Sequence, residues 1–211
     1  MLAERIGEAL SRPFDRLVRA CAHVHPDLLT ITGLALNGVA CACFALSGGH
    51  DYRSVGLLRA GGAVGLAAAV FDMLDGRVAR LRGRETKFGA YLDSTMDRYS
   101  DMVLFMGLMI LYARVHRTDQ MVLVWVAAFG SFMTSYARAR AESLIPSCTV
   151  GFLERPERIV LVVLGALANR MTAVLWIIAI LANVTAVQRV VYTYVELRRG
   201  WTRAPEEGEV P

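Results

Sequence analysis

The sequence predicts an all-α integral membrane protein: six transmembrane helices preceded by a cytoplasmic amphipathic juxtamembrane helix. Three observations carry that prediction. Hydrophobic residues make up 55% of the 211, and the mean hydropathy is +0.42, well above the balance of a water-soluble domain. Apolar stretches recur along the chain at lengths suited to helices crossing a hydrocarbon layer of about 30 Å. Lys and Arg alternate between rich and poor in the flanks of those stretches, as topology demands of a multi-pass protein.

The elements follow in order. In residues 1–25, Phe14, Leu17, Val18 and Cys21 recur at helical spacing among Arg12, Asp15, Arg16 and Arg19. That pattern fits an amphipathic helix lying on anionic headgroups, and equally a surface helix packed on the bundle. The segment lacks a long apolar core and a cleavage site, so it is not a signal peptide. Apolar stretches then run over 28–48, 55–74, 91–112, 121–136, 159–168 and 171–194, giving a six-helix membrane domain over 26–199. Pro26 and Asp27 suit the start of the first helix. A small-residue run, Gly61, Gly62, Gly65 and Ala69, lets helices pack closely within the bundle or between protomers. The tail over 200–211 has no apolar period and reads as disordered.

Counting Lys and Arg in alternate flanks places seventeen on one side and five on the other, with Arg98 inside a helix left out. Both termini and the segment between the second and third helices therefore face the cytoplasm, and the protein belongs in the cell membrane. This topology accounts for the net charge of +4, and no nucleic-acid motif accompanies it. Cys21, Cys41, Cys43 and Cys148 show no paired spacing and read as small hydrophobes. The four histidines have no zinc pattern.

Function is concentrated between residues 72 and 97, which read DMLDGRVARLRGRETKFGAYLDSTMD. The pattern is DxxDGxxAR, eight residues, then GxxxDxxxD, set by Asp72, Asp75, Gly76, Ala79, Arg80, Gly89, Asp93 and Asp97. Helical spacing puts Asp72, Asp75, Gly76 and Arg80 on or near one face, and Gly89, Asp93 and Asp97 one turn apart on the next helix. Two helices therefore each present a pair of carboxylates. Such like charges repel in a poorly solvated place unless a hard, oxygen-loving cation lies between them, Mg²⁺ first and Mn²⁺ as its substitute. Gly76 and Gly89 let a ligand approach the backbone. A solvated loop explains Arg77, Arg82, Arg84, Glu85 and Lys87, but not carboxylates placed regularly at the edge of hydrocarbon.

This segment resembles the signature of the CDP-alcohol phosphatidyltransferases, and the resemblance extends over most of the membrane region. It implies six transmembrane helices, a homodimer, and transfer of a phosphatidyl group from a CDP-lipid, typically CDP-diacylglycerol, to an alcohol with release of CMP. Asp72, Asp75, Asp93 and Asp97 are then the metal ligands, and Asp97 is also the general base. Gly76, Ala79, Arg80 and Gly89 line the nucleotide and diphosphate site. Residues 26–33 resemble the family's PNxLTxxG entry, which adds Thr30 to the CDP-lipid contacts, although Asp27 stands where asparagine is usual.

The acceptor is read further along, in TSYARARAES over 134–143, GFLERPERIV over 151–160, and Gln188 with Arg189. Arginines gathered at the catalytic edge suit a soluble acceptor that carries a phosphate, because guanidinium forks bind its oxygens in pairs. For any single arginine, positive-inside anchoring explains as much. These segments resemble those of the phosphatidylinositol-phosphate synthases within the family. That likeness implies inositol phosphate as acceptor, held by Arg138, Arg155 and Arg189 and oriented by Glu154 and Glu157. The alternative is phosphatidylglycerophosphate synthesis, with glycerol 3-phosphate as acceptor. Two other classes use acids in membranes, intramembrane prenyltransferases and ion or proton transporters. The first usually separates its aspartates into distant clusters, and the second leaves the glycines and Arg80 unexplained.

Overall fold

A computed structural model describes residues 17–21, 23–24, 26–48, 52–83 and 86–201. A helical turn over 17–20 precedes six helices: α1 (Pro26–Leu46), α2 (Tyr52–Leu81), α3 (Lys87–Arg114), α4 (Thr118–Ala141), α5 (Arg155–Leu167) and α6 (Met171–Trp201). No strand occurs among the described residues. Most of the expected amphipathic segment, Phe14 included, and residues 202–211 of the tail lie outside them. Val18 is buried and packs with Leu29, Leu74 and Val78, so the turn before α1 rests on the bundle.

Contacts at both ends of the bundle show that successive helices reverse direction. At one end Thr30 near the start of α1 meets Asp75 near the end of α2, while Arg155 at the start of α5 meets Asp97 near the start of α3. At the other end Arg114 of α3 donates to the Ala45 carbonyl of α1 over 3.0 Å, and Arg59 of α2 donates to the Leu167 carbonyl of α5 over 3.1 Å. The Tyr112 and Thr172 hydroxyls, on α3 and α6, pair there over 3.2 Å.

Among the described residues four segments are long and apolar enough to cross a membrane: Leu28–Leu46, Ser54–Leu81, Thr118–Ala141 and Met171–Arg199. Six such spans were expected. The two helices that fall short do so for physical reasons. α3 carries Asp93, Asp97, Arg98 and Asp101 in its first half, and the 13 residues of α5 rise only about 20 Å.

The outer faces are apolar, with Trp125, Phe129, Phe132, Trp176, Ile180 and Val187 exposed, as lipid contact requires. Inside, Phe44, Leu108, Leu175 and Ile178 are fully buried. Close crossings depend on residues without side chains. A Cβ at Gly107 would lie 2.7 Å from the Cys41 carbonyl oxygen, so α1 and α3 meet backbone to backbone. The small-residue run of α2 also works within the bundle, Gly61 against Phe44 of α1 and Gly62 against Ala166 of α5. Polar ties join α4 to α6: Thr134 donates to the Ala182 carbonyl over 2.8 Å, and Asn183 donates to the Val126 carbonyl over 3.2 Å. The four cysteines are free, with Cys41 and Cys148 buried as small apolar residues.

Candidate active site

The last turns of α2 and the first turns of α3 bring the acids together. Thr86 caps α3, its hydroxyl accepting from the Gly89 amide over 2.9 Å. That contact explains Gly89 in part, since a Cβ there would sit 3.0 Å from the same hydroxyl. One and two turns later α3 presents Asp93 and Asp97 to Asp72 and Asp75 of α2.

Carboxylate oxygens of Asp72, Asp75 and Asp93 lie within 4.8 Å of one another. Asp75 is 3% exposed and is held by two donors, the Thr30 hydroxyl at 2.5 Å and the Gly76 amide at 2.6 Å. Thr30, expected among the donor-lipid contacts, is thus a partner of this carboxylate. Asp97 lies beside the group rather than in it. Nη1 of Arg155 donates to Asp72 and sits 2.7 Å from Asp97 Oδ1, so one guanidinium nitrogen separates the two acids. That Asp97 oxygen is buried and has no donor in hydrogen-bonding geometry.

These residues fit a hard divalent cation. Ligands on opposite sides of Mg²⁺ stand about 4.2 Å apart, within the spread of the three carboxylates, and oxygen donors alone favour Mg²⁺ or Mn²⁺ over softer metals. Beside the acids the α2 backbone is open: a Cβ at Gly76 would meet only Arg80 Nη2, at 3.9 Å. Half-buried Ala79 and exposed Arg80 continue that surface.

A polar cavity of about 300 Å³ adjoins the acids and shares Asp97 with them. Arg98, Arg138, Arg155, Arg158 and Arg189 all line it, so the three expected acceptor arginines do converge. Arg189 is 2% exposed and fixed at three points, the Val150 carbonyl (2.9 Å), the Thr134 carbonyl (2.8 Å) and Glu154 Oε1 (3.3 Å). The same Glu154 oxygen takes Arg138 Nη1 at 3.2 Å, and Glu142 takes Arg138 Nε at 3.0 Å. Glu154 therefore orients two of the arginines, as expected, while Glu157 faces outward. Three carboxylates, of Asp72, Asp97 and Asp101, surround the Arg155 guanidinium.

The loop before α5 places Glu154 and Arg155. Gly151 has φ +137°, a conformation side chains disfavour, and its Cα turns toward the Thr185 methyl. The next two amides, of Phe152 and Leu153, donate to the Thr185 hydroxyl over 3.1 and 3.3 Å. One site residue escaped the sequence analysis. Asp101 extends the four-residue spacing of Gly89, Asp93 and Asp97, a visible signal, and it binds Arg155 and Arg158. Arg158, 3% exposed, is one of the arginines read at the catalytic edge, and it lines the cavity with Arg138, Arg155 and Arg189.

An acid cluster joined to an arginine-lined cavity, at one end of an apolar helical bundle, defines a membrane-embedded enzyme for phosphate-bearing substrates. The CDP-alcohol phosphatidyltransferase family model matches residues 23–198. The chain belongs to this family and is a phosphatidyl-group transferase of phospholipid biosynthesis. It is 35% identical over 201 residues to archaetidylinositol phosphate synthase of Methanothermobacter thermautotrophicus, covering 92% of this chain and 98% of the relative. With phosphatidylinositol phosphate synthase of Mycobacterium tuberculosis it shares 35% over 175 residues, 78% of this chain and 76% of the relative. Crystal structures of a Mycobacterium tuberculosis phosphatidylinositol phosphate synthase are similar over most of this chain. The structure with CDP-DAG bound has a TM-score of 0.74 at 31% identity, covering 87% of this chain and 94% of that one. The complex with manganese and citrate has a TM-score of 0.75 at 31% identity, covering 86% and 88%.

Proposed function

We propose that this enzyme transfers the phosphatidyl group of a CDP-linked lipid, CDP-diacylglycerol or a related one, to inositol phosphate and releases CMP. The observation that carries the reading is the cavity that places five arginines beside Asp97, at the edge of the acid cluster. Uncharged alcohols leave those arginines without a task. The curated relatives, phosphatidylinositol and archaetidylinositol phosphate synthases, support the same acceptor.

Asp72, Asp75, Asp93 and Asp97 would hold divalent cation, Mg²⁺ or Mn²⁺, which when bound neutralises the diphosphate and polarises the attacked phosphorus. Thr30 and the Gly76 amide hold Asp75 oriented toward that task. The open surface along Gly76, Ala79, Arg80 and Gly89 receives the nucleotide and diphosphate. Arg138, Arg155 and Arg189 grip the acceptor phosphate, which aims an inositol hydroxyl at the lipid phosphate. Asp97 takes the proton of that hydroxyl as its oxygen bonds to the lipid phosphorus. The bond from that phosphorus to the bridging diphosphate oxygen breaks, and CMP departs with the electron pair.

The six helices are proposed as six spans, because each runs between the same two ends of the bundle. The site end carries the basic flanks and faces the cytoplasm. The homodimer that the family resemblance implies belongs to this proposal.

Purified protein with CDP-diacylglycerol, Mg²⁺ and a panel of acceptors tests the reading. CMP release with inositol phosphate, and none with serine or free inositol, is expected. Faster release with glycerol 3-phosphate would replace the acceptor.

A further inference from the structure

Asp101 is a half-buried acid that neither lines the arginine cavity nor joins the three-carboxylate cluster, yet its partner Arg155 lines the first and touches Asp72 of the second. It lies one turn beyond Asp97 on α3. Its two oxygens hold different guanidinium groups: Oδ1 accepts from Arg155 Nε at 3.2 Å, and Oδ2 from Arg158 Nη2 at 3.1 Å. Both arginines belong to the first turn of α5, three residues apart, so this one carboxylate pins the start of α5 against α3. The side chains of Asp101, Arg155 and Arg158 are 11%, 18% and 4% exposed, and solvent screens them little.

Arg155 is shared among three acids. Nε goes to Asp101, and Nη1 lies between Asp72 and Asp97. Whatever charge Asp101 does not balance falls on Asp72 and Asp97, where a guanidinium competes with divalent cation. Asp101 also sets the plane of the Arg155 fork, which decides how its remaining donors face the cavity. Its neighbours on the same helix face, Asp93 and Asp97, carry like charge, so its retention in a shielded place requires these two partners.

We propose that Asp101 is a positioning residue: it holds Arg155 and Arg158 for the acceptor phosphate and keeps Arg155 from occupying the cation site. The proposal rests on the acceptor reading above for its first half only. Asp101→Asn retains the shape and one acceptor oxygen but removes the charge. In the full-length enzyme it raises the KM for inositol phosphate about tenfold, the loss expected of one charge-assisted contact, and leaves the KM for CDP-diacylglycerol unchanged. Mn²⁺ binding to the protein without substrates, followed by electron paramagnetic resonance, weakens several-fold in the same variant, and Asp101→Glu restores part of it. A structural clamp alone lowers the unfolding temperature and moves neither Mn²⁺ affinity nor the ratio of the two KM values, and that result overturns the proposal. If Asp101→Asn does not fold, Asp101→Glu carries the test, since the longer side chain displaces the Arg155 fork. It must raise the acceptor KM alone, and equal changes in both constants overturn the positioning role. Should wild-type enzyme ignore inositol phosphate, the acceptor reading fails, while the Mn²⁺ measurement still judges Asp101.

Discussion

Asp97 stands where the two halves of the site meet, with Asp72 on one side and the arginine cavity on the other. Replacing it with Asn keeps the shape and removes the proposed base. Turnover in Asp97→Asn is expected to fall about a thousandfold, the usual scale for losing a positioned proton acceptor. CDP-diacylglycerol binding measured by calorimetry is expected to persist. Full activity would assign the proton elsewhere. The arginines separate by how deeply each is built in. Arg138 keeps 38% of its side chain exposed, so Arg138→Ala raises the acceptor KM about tenfold with little loss of stability. Arg189 is fixed by the Val150 and Thr134 carbonyls as well as Glu154, and its removal takes all three charge-assisted contacts away. Arg189→Ala therefore costs about 2 kcal/mol of stability in addition to acceptor binding, seen as a lower unfolding temperature. Arg117, paired only with Asp119 at the other end and 58% exposed, is the matched control, and Arg117→Ala changes neither constant.

The helix elements show what spacing encodes and what it does not. Asp72, Asp75 and Asp93 were legible because helical periodicity alone puts them on facing sides of α2 and α3. Asp101 obeys the same four-residue interval and was passed over because the apolar run beginning at Met102 masked it. The capping of α3 by Thr86 gives Gly89 a local task that a family pattern does not reveal. By contrast, the Thr185 hydroxyl that holds Phe152 and Leu153 lies more than thirty residues away, and no local rule could have found it. Close crossings belong to this scale too. At Gly107 an added methyl meets the backbone of Cys41 rather than a flexible side chain, so α1 and α3 must move apart. Gly107→Ala is expected to lose about 1–3 kcal/mol, read as a drop in unfolding temperature in detergent, whereas Gly65→Ala, whose methyl meets nothing, is neutral.

At the scale of the whole molecule, the reversal of every helix sorts the loops into two sets. The connection over 82–86 and the loop over 142–154 lie at the site end, and the turn over 115–117 lies at the other. Single cysteines placed in a cysteine-free background test the orientation. One at His116 should react with a membrane-impermeant maleimide in intact cells, and one at Arg82 only after the membrane is opened. The reverse pattern would invert the topology. Alternation of basic flanks already sorted the loops this way, but the count of crossing helices was less legible, since α3 interrupts its apolar run with acids and α5 is short.

Arg189 sits near the end of α6, yet it braces the loop that presents Glu154 and Arg155 and faces Thr134 of α4. The keystone is thus made after the five helices that build the rest of the site. During synthesis, the earlier helices can enter the bilayer with an unfinished catalytic centre, unable to squander activated lipid. Competence arrives only when α6 docks, so biogenesis carries its own safety catch.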